Sequence, residues 1–135
     1  MFQPVYSFKR LNGAVDLFIF LVTHVSCPGV VPNTNMSCGL AGHPGSTCVV
    51  FELGGIGSAI VMACKASGAS RIIGVDINEG KFPRARALGV TDCLNPQKLK
   101  KPVQQVVVEM TGFGVDFAFE AVGLIYTMVC GLGAR

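Results

Sequence analysis

The sequence predicts an α/β protein built on a doubly wound parallel sheet, and three observations carry that prediction. From residue 47 onward, apolar segments of strand length alternate with segments of helical character. The first of these apolar segments is continuous, as in strands buried on both faces of a parallel sheet. Glycine or proline stands at most junctions, where the chain must reverse. The resulting β-α-β-α-β-α-β order places helices on both faces of one sheet through right-handed crossovers.

Taken in order, "TCVVFEL" (residues 47–53) reads as the first strand. "GSAIVMACKAS" follows as a helix of small and apolar residues, with Gly68 as its C-cap stop. "RIIGVD" is the second strand, ending on Asp76. "NEGKFPRARAL" reads as a helix with Asn78 as N-cap and Gly89 as its stop. Pro83 and Gly80 weaken its first turn, so this helix is expected to start late. "TDCLN" is the third strand, Pro102 opens a helix "PVQQVVVEMT" that Gly112 ends, and "VDFAFEAVG" is the fourth strand.

Residues 1–43 show no sustained period and are expected to form an irregular leader. The run "AVDLFIFLV" is too short to span a bilayer and is interrupted by Asp16. With Lys9 and Arg10 before it and "SCPG" after it, the run loosely imitates a signal peptide. The regular segment from residue 47 on favours a cytoplasmic protein, with secretion as the lesser alternative. "PGVVPNTNMSCGLAGHPGS" is rich in turn formers and reads as a loop or linker.

A chain of 135 residues, half of them hydrophobic, supports one domain and one core. The net charge of +3 is small and scattered, and the basic run at residues 98–101 reads as a solvated edge, so nucleic acid is excluded as the partner. The six cysteines form no C-x-x-C pair and match no zinc-finger spacing. Cys48, Cys64 and Cys93 lie in apolar segments and are expected to be buried, reduced thiols. His24 and His43 read as surface or loop residues.

The junction of the first strand and helix, "FELGGIG", nearly completes the dinucleotide fingerprint G-x-G-x-x-G of a Rossmann-like domain. Gly54 and Gly57 stand at its second and third glycine positions, while Glu52 occupies the first. A helix N-terminus pointing out of a sheet favours an anion, and glycines let the backbone approach a pyrophosphate closely. Asp76 lies nineteen residues after Gly57, where a carboxylate accepts the hydroxyls of an adenosine ribose. A 2′-phosphate there would meet a like charge, so NAD is expected rather than NADP. A solvated aspartate capping the next helix is the plainer alternative.

Residues 44–123 then resemble the zinc-dependent, medium-chain alcohol dehydrogenases of the animal cytosolic type. The resemblance rests on "GSTC", "CKASGA", "RIIGVDIN", "LNPQ", "KKP", "EMT" and "VDFAFE", and it covers about three-fifths of the chain. It implies that Gly54, Gly55, Ile56 and Gly57 contact the pyrophosphate of NAD. It further implies that Asp76 and Lys81 flank the adenosine ribose, and that Ala121, Val122 and Gly123 lie beside the cofactor at the end of the fourth strand. In that family a catalytic zinc in a separate domain polarises the alcohol oxygen while hydride passes to the nicotinamide. Substrates are primary and secondary alcohols, retinol among them.

Departures from the family pattern shape the functional expectation. No segment corresponds to the family's zinc ligands or to its structural zinc lobe, so no catalytic residue and no metal ligand is assigned. Residues 124–135 read as a divergent tail. The sheet is expected to hold about four strands in the order 3-2-1-4, a truncated form lacking the fifth and sixth. Its fourth strand would then be an uncovered apolar edge. The family is dimeric, but through strands this chain is expected to lack. The chain therefore reads as the NAD-binding part of an alcohol dehydrogenase that is not catalytically competent alone. The alternative is a non-catalytic, truncated or pseudogene-like product that binds NAD weakly or not at all. Pairing with a full-length subunit is disfavoured.

Glu52 bears on both readings. A side chain where the family has glycine adds strain on the order of 1 kcal/mol if φ is positive there. Its carboxylate would repel a pyrophosphate by roughly 1 kcal/mol in water and ~4 kcal/mol at protein-like screening. The two together weaken NAD binding by roughly tenfold to a thousandfold.

Overall fold

In a computed structural model of the chain, residues 3–11, 14–22 and 44–121 are described. Among the described residues six strands form one sheet: β1 (Gln3–Leu11), β2 (Ala14–Val22), β3 (Thr47–Phe51), β4 (Arg71–Val75), β5 (Asp92–Leu94) and β6 (Phe117–Glu120). The helices among them are α1 (Gly55–Ala66), α2 (Phe82–Leu88) and α3 (Val103–Thr111). The strand order is β2-β1-β6-β3-β4-β5. Its parallel part, β6-β3-β4-β5, is the predicted 3-2-1-4 arrangement of a Rossmann-like fold.

Alternation along the strands divides the core into two layers, because successive side chains leave opposite faces of a sheet. Val49, Phe51, Ile73, Val75 and Ala118 face α3, where Val103 and Val107 meet them. Cys48, Val50, Ile72, Phe117 and Phe119 face the other way, against Val61 and Cys64 of α1 and Ala85 of α2. All four residues of β6 are buried, as are all of β3 and β4 apart from their half-buried first residues. Continuous apolar strands thus have helices on both faces.

Most junctions follow the sequence. α1 is closed by a hydrogen bond from the Ala69 amide to the Cys64 carbonyl and one from Gly68 to Lys65, with Gly68 at φ +81. This is the Schellman arrangement, and its left-handed residue suits glycine. α2 starts late, as expected. A 3₁₀ turn over Glu79–Lys81 precedes it, capped by the Asn78 side chain accepting from the Gly80 amide. Pro83 then falls in the first turn of α2, where its missing N–H needs no partner. Cys48 and Cys64 are fully buried free thiols, whereas Cys93 is only half-buried on the short β5.

The expectation for the N-terminal region needs correcting. Within it, Gln3–Leu11 and Ala14–Val22 are strands: β1 and β2 pair antiparallel from Gln3↔Val22 to Leu11↔Ala14. β1 also pairs antiparallel with β6, from Tyr6↔Glu120 to Lys9↔Phe117. The edge of β6 is therefore covered, and the sheet is mixed rather than purely parallel. An unpaired edge of buried apolar strand is costly to leave open, and a hairpin closes it with main-chain hydrogen bonds.

Candidate functional site

The C-terminal ends of β3, β4 and β6 lie side by side and carry Glu52, Asp76 and Glu120. Between β3 and α1 the chain turns sharply. Glu52 takes φ +74, and among the described residues no other non-glycine has a positive φ. Its amide donates to the Val75 carbonyl at 2.7 Å, which fixes the turn to the end of β4. Leu53 follows as an anchor, 4% exposed, with its methyl groups about where a side chain on Gly74 would have to stand.

The glycines of the turn do different work. A Cβ on Gly57 would lie 1.7 Å from the Glu52 carbonyl oxygen, so the first turn of α1 can cross the end of β3 only without a side chain. A Cβ on Gly55 would meet nothing within 4 Å, leaving open space beside the start of the helix. A Cβ on Gly54 would stand 3.3 Å from Glu52 Oε1, which places that carboxylate over the helix cap. Gly54 is the N-cap of α1, with no side-chain cap, and the first-turn amides have no intrahelical acceptor. Ile56 is half-buried and Gly57 buried beside them.

Asp76 is held as a polar core residue, 6% exposed. Its Oδ2 accepts from the Leu53 amide at 2.9 Å and from Lys81 Nζ at 2.9 Å, while Oδ1 accepts from the Asn78 amide at 2.8 Å. Burial pushes its pKa up, but the two backbone donors and Lys81 outweigh this and hold it below the usual carboxylate range. Asp76 is thus ionised at neutral pH. Three of its roughly four lone-pair sites are filled, and with the side chain only 3% exposed, an outside donor reaches it where the part-exposed Lys81 now sits.

Glu52 behaves oppositely. Partial burial is the main cause that raises its pKa, and the charges of Asp76 and Glu120 push the same way, against Lys81. Among the described residues no hydrogen bond holds its carboxylate. Two carboxylates in one site are therefore driven apart, one toward the charged form and one toward the neutral.

A surface network positions the loop after β4. Asn95 Nδ2 donates to the Ile77 carbonyl and to Glu79, and Lys98 pairs with Glu79 at 2.8 Å. Ile77 is 63% exposed beside the buried Asp76, an apolar wall that the sequence reading passed over. Its signal was a large aliphatic residue directly after the acid. The structure brings Gly54, Gly55, Ile56, Gly57, Asp76 and Lys81 to one end of the sheet. Ala121 joins them through its amide on the Phe51 carbonyl at 3.2 Å, and Val122 and Gly123 lie outside the described residues.

Chemically, this end offers a fixed anion for hydroxyl donors, an apolar wall, and helix amides for an anion with Glu52 standing next to them. Among the described residues no three His, Cys, Asp or Glu side chains could hold a metal ion together. Among them, too, no helix is long and apolar enough to cross a membrane.

Residues 55–131 match the family described as zinc-binding dehydrogenase. The chain is similar to the alcohol dehydrogenase zinc-binding domain protein from Burkholderia ambifaria at 36% identity and TM-score 0.64, covering 68% of this chain and 24% of that one. It is similar to benzyl alcohol dehydrogenase from Acinetobacter calcoaceticus at 36% identity and TM-score 0.64, covering 68% and 25%. A third likeness is to 2R,3R-butanediol dehydrogenase from Bacillus subtilis, at 31% identity and TM-score 0.65, covering 69% and 26%. The matched region spans about a quarter of the length of each of these proteins.

Proposed function

The chain belongs to the zinc-binding dehydrogenase family, and from that premise we propose that residues 44–121 form the part of an alcohol dehydrogenase that holds NAD. The observation that carries this reading is Asp76, buried and ionised at the end of β4 with Lys81 on its Oδ2. Lys81, about one-third exposed, can turn outward so that the Asp76 carboxylate accepts a ribose hydroxyl, and can donate to the ribose oxygens itself. Ile77 supplies an apolar face for the adenine. The amides of Gly55, Ile56 and Gly57 are the donors for the pyrophosphate, and the space at Gly55 leaves room for it. Ala121, at the end of β6, would face the inner half of the cofactor, and the family resemblance assigns Val122 and Gly123 to the same role.

If bound here, NAD would supply the hydride acceptor for alcohol oxidation, the hydroxyl proton being released to solvent. Oxidation of primary or secondary alcohols, retinol among them, is the activity we propose for the whole protein. No zinc step is assigned to residues 44–121, because no ligand set converges among them.

The two halves of the site fit NAD unequally. The ribose half is complete, whereas the Glu52 carboxylate opposes the pyrophosphate half. Calorimetric titration is expected to show weak NAD binding and weaker NADP binding, since a 2′-phosphate would face the Asp76 carboxylate. Glu52→Gly is expected to tighten NAD by roughly tenfold to a thousandfold, through lost repulsion and a relaxed backbone. NADP binding as tight as NAD would sink the ribose assignment. Equal NAD affinity in the two proteins would sink the role given to Glu52.

A further inference from the structure

Resting on the ribose reading above, we propose that at neutral pH this site takes a nucleoside with a free ribose diol and no 5′-phosphate in preference to a dinucleotide. The ribose half is built on two backbone donors that fix the Asp76 carboxylate. Lys81 pairs with that carboxylate as well, and Ile77 stands exposed next to it. The phosphate half is reversed in sign. The start of α1 offers the equivalent of about half a positive charge, whereas Glu52 brings a full negative one to the same cap. The full charge outweighs the half.

The hydrogen bond from the Glu52 amide to the Val75 carbonyl holds its backbone at φ +74 and sets the Cα–Cβ direction, and its Oε1 stands 3.3 Å from where a Cβ on Gly54 would lie. The charged groups that face it are Asp76 at the end of β4, Glu120 at the end of β6 and Lys81 in the 3₁₀ turn. Lys81 is already engaged by Asp76 at 2.9 Å, so its charge is shared. A nucleoside without phosphate presents nothing for Glu52 to repel.

The same geometry gives a second handle. Glu52 takes up a proton more readily than an ordinary glutamate, and Asp76 less readily than an ordinary aspartate. On acidification Glu52 becomes neutral while Asp76 is still charged, so the ribose half stays intact as the phosphate half loses its opposing charge.

The test is calorimetric titration of the full chain and of Glu52→Gln with adenosine, 2′-deoxyadenosine and NAD, at neutral pH and at about pH 4.2, between the ordinary carboxylate values from which Glu52 is raised and Asp76 lowered. In the parent at neutral pH, adenosine is expected to bind at least as tightly as NAD, and 2′-deoxyadenosine more weakly. In Glu52→Gln, NAD is expected to tighten by at least about tenfold and adenosine to stay within about twofold. Acidification should tighten NAD in the parent and leave it unchanged in Glu52→Gln. If adenosine binds in preference to its 2′-deoxy form but NAD responds neither to the substitution nor to acid, the charge selection is overturned and the ribose reading stands. If adenosine and 2′-deoxyadenosine bind alike, or nothing binds to either protein, the ribose reading falls and takes the selection with it.

Discussion

Gly57→Ala is expected to destabilise the fold by about 4 kcal/mol, a large share of the 5–15 kcal/mol typical of a domain. The added methyl would sit 1.7 Å from the Glu52 carbonyl oxygen, and neither partner is a flexible side-chain end. Relief requires moving the start of α1 off the end of β3, which unseats Leu53 from the core. Gly55→Ala is the matched control, because its methyl would enter open space. Alanine also suits the first turn of a helix better than glycine, so that variant is expected to be neutral or stabilised by about 0.5 kcal/mol. Urea denaturation of both proteins decides the matter. A Gly57→Ala variant within about 1 kcal/mol of the parent would show that the crossing is looser than described.

Asp76→Ala is expected to cost about 3 kcal/mol even with no ligand present. The substitution removes the acceptor of the buried Leu53 amide and leaves a gap under the turn. The Asn78 amide and Lys81 are more exposed and recover water, so they add little. The effect has a pH signature. Asp76 has a depressed pKa in the folded state, so its contribution is present above its unfolded value of about 3.9 and is lost as pH falls through the folded value. The gap between parent and Asp76→Ala should therefore narrow in acid. A gap that stays constant from neutral pH to about pH 2 would rule out the charged carboxylate as its source. Glu52, with a raised pKa, works in the other sense: its ionisation lowers stability as pH rises from about 4.3 through the folded value. The two acids together favour a stability maximum on the acid side of neutrality.

The parallel core was legible in the sequence because its strands are apolar on both faces and its turns carry their own chemistry. "TCVVF" and "RIIGV" admit few other readings once glycine and helical segments flank them. The late start of α2 followed from Pro83 and Gly80 together. The hairpin at residues 3–22 was missed. Its second strand, "AVDLFIFLV", is an apolar run whose period does not separate strand from helix. The available signal was Asn12-Gly13 between two nine-residue runs, a pair that favours tight hairpin turns. At the site, the strain at Glu52 was inferable from its place in the glycine fingerprint. The hold that Asp76 exerts on the Leu53 amide was not, since it depends on two strand ends meeting in space.

The pairing of β1 with β6 has a kinetic side. Tyr6 and Glu120 are more than a hundred residues apart in sequence, yet they are partners in one ladder. The β1–β2 hairpin can form in microseconds by itself, whereas joining it to β6 must await closure of nearly the whole chain. The last strand pair to form in folding is then expected to be β1–β6. In native-state hydrogen exchange, the hairpin should open as a separate unit, at lower free energy than β3 and β4 at the centre of the sheet.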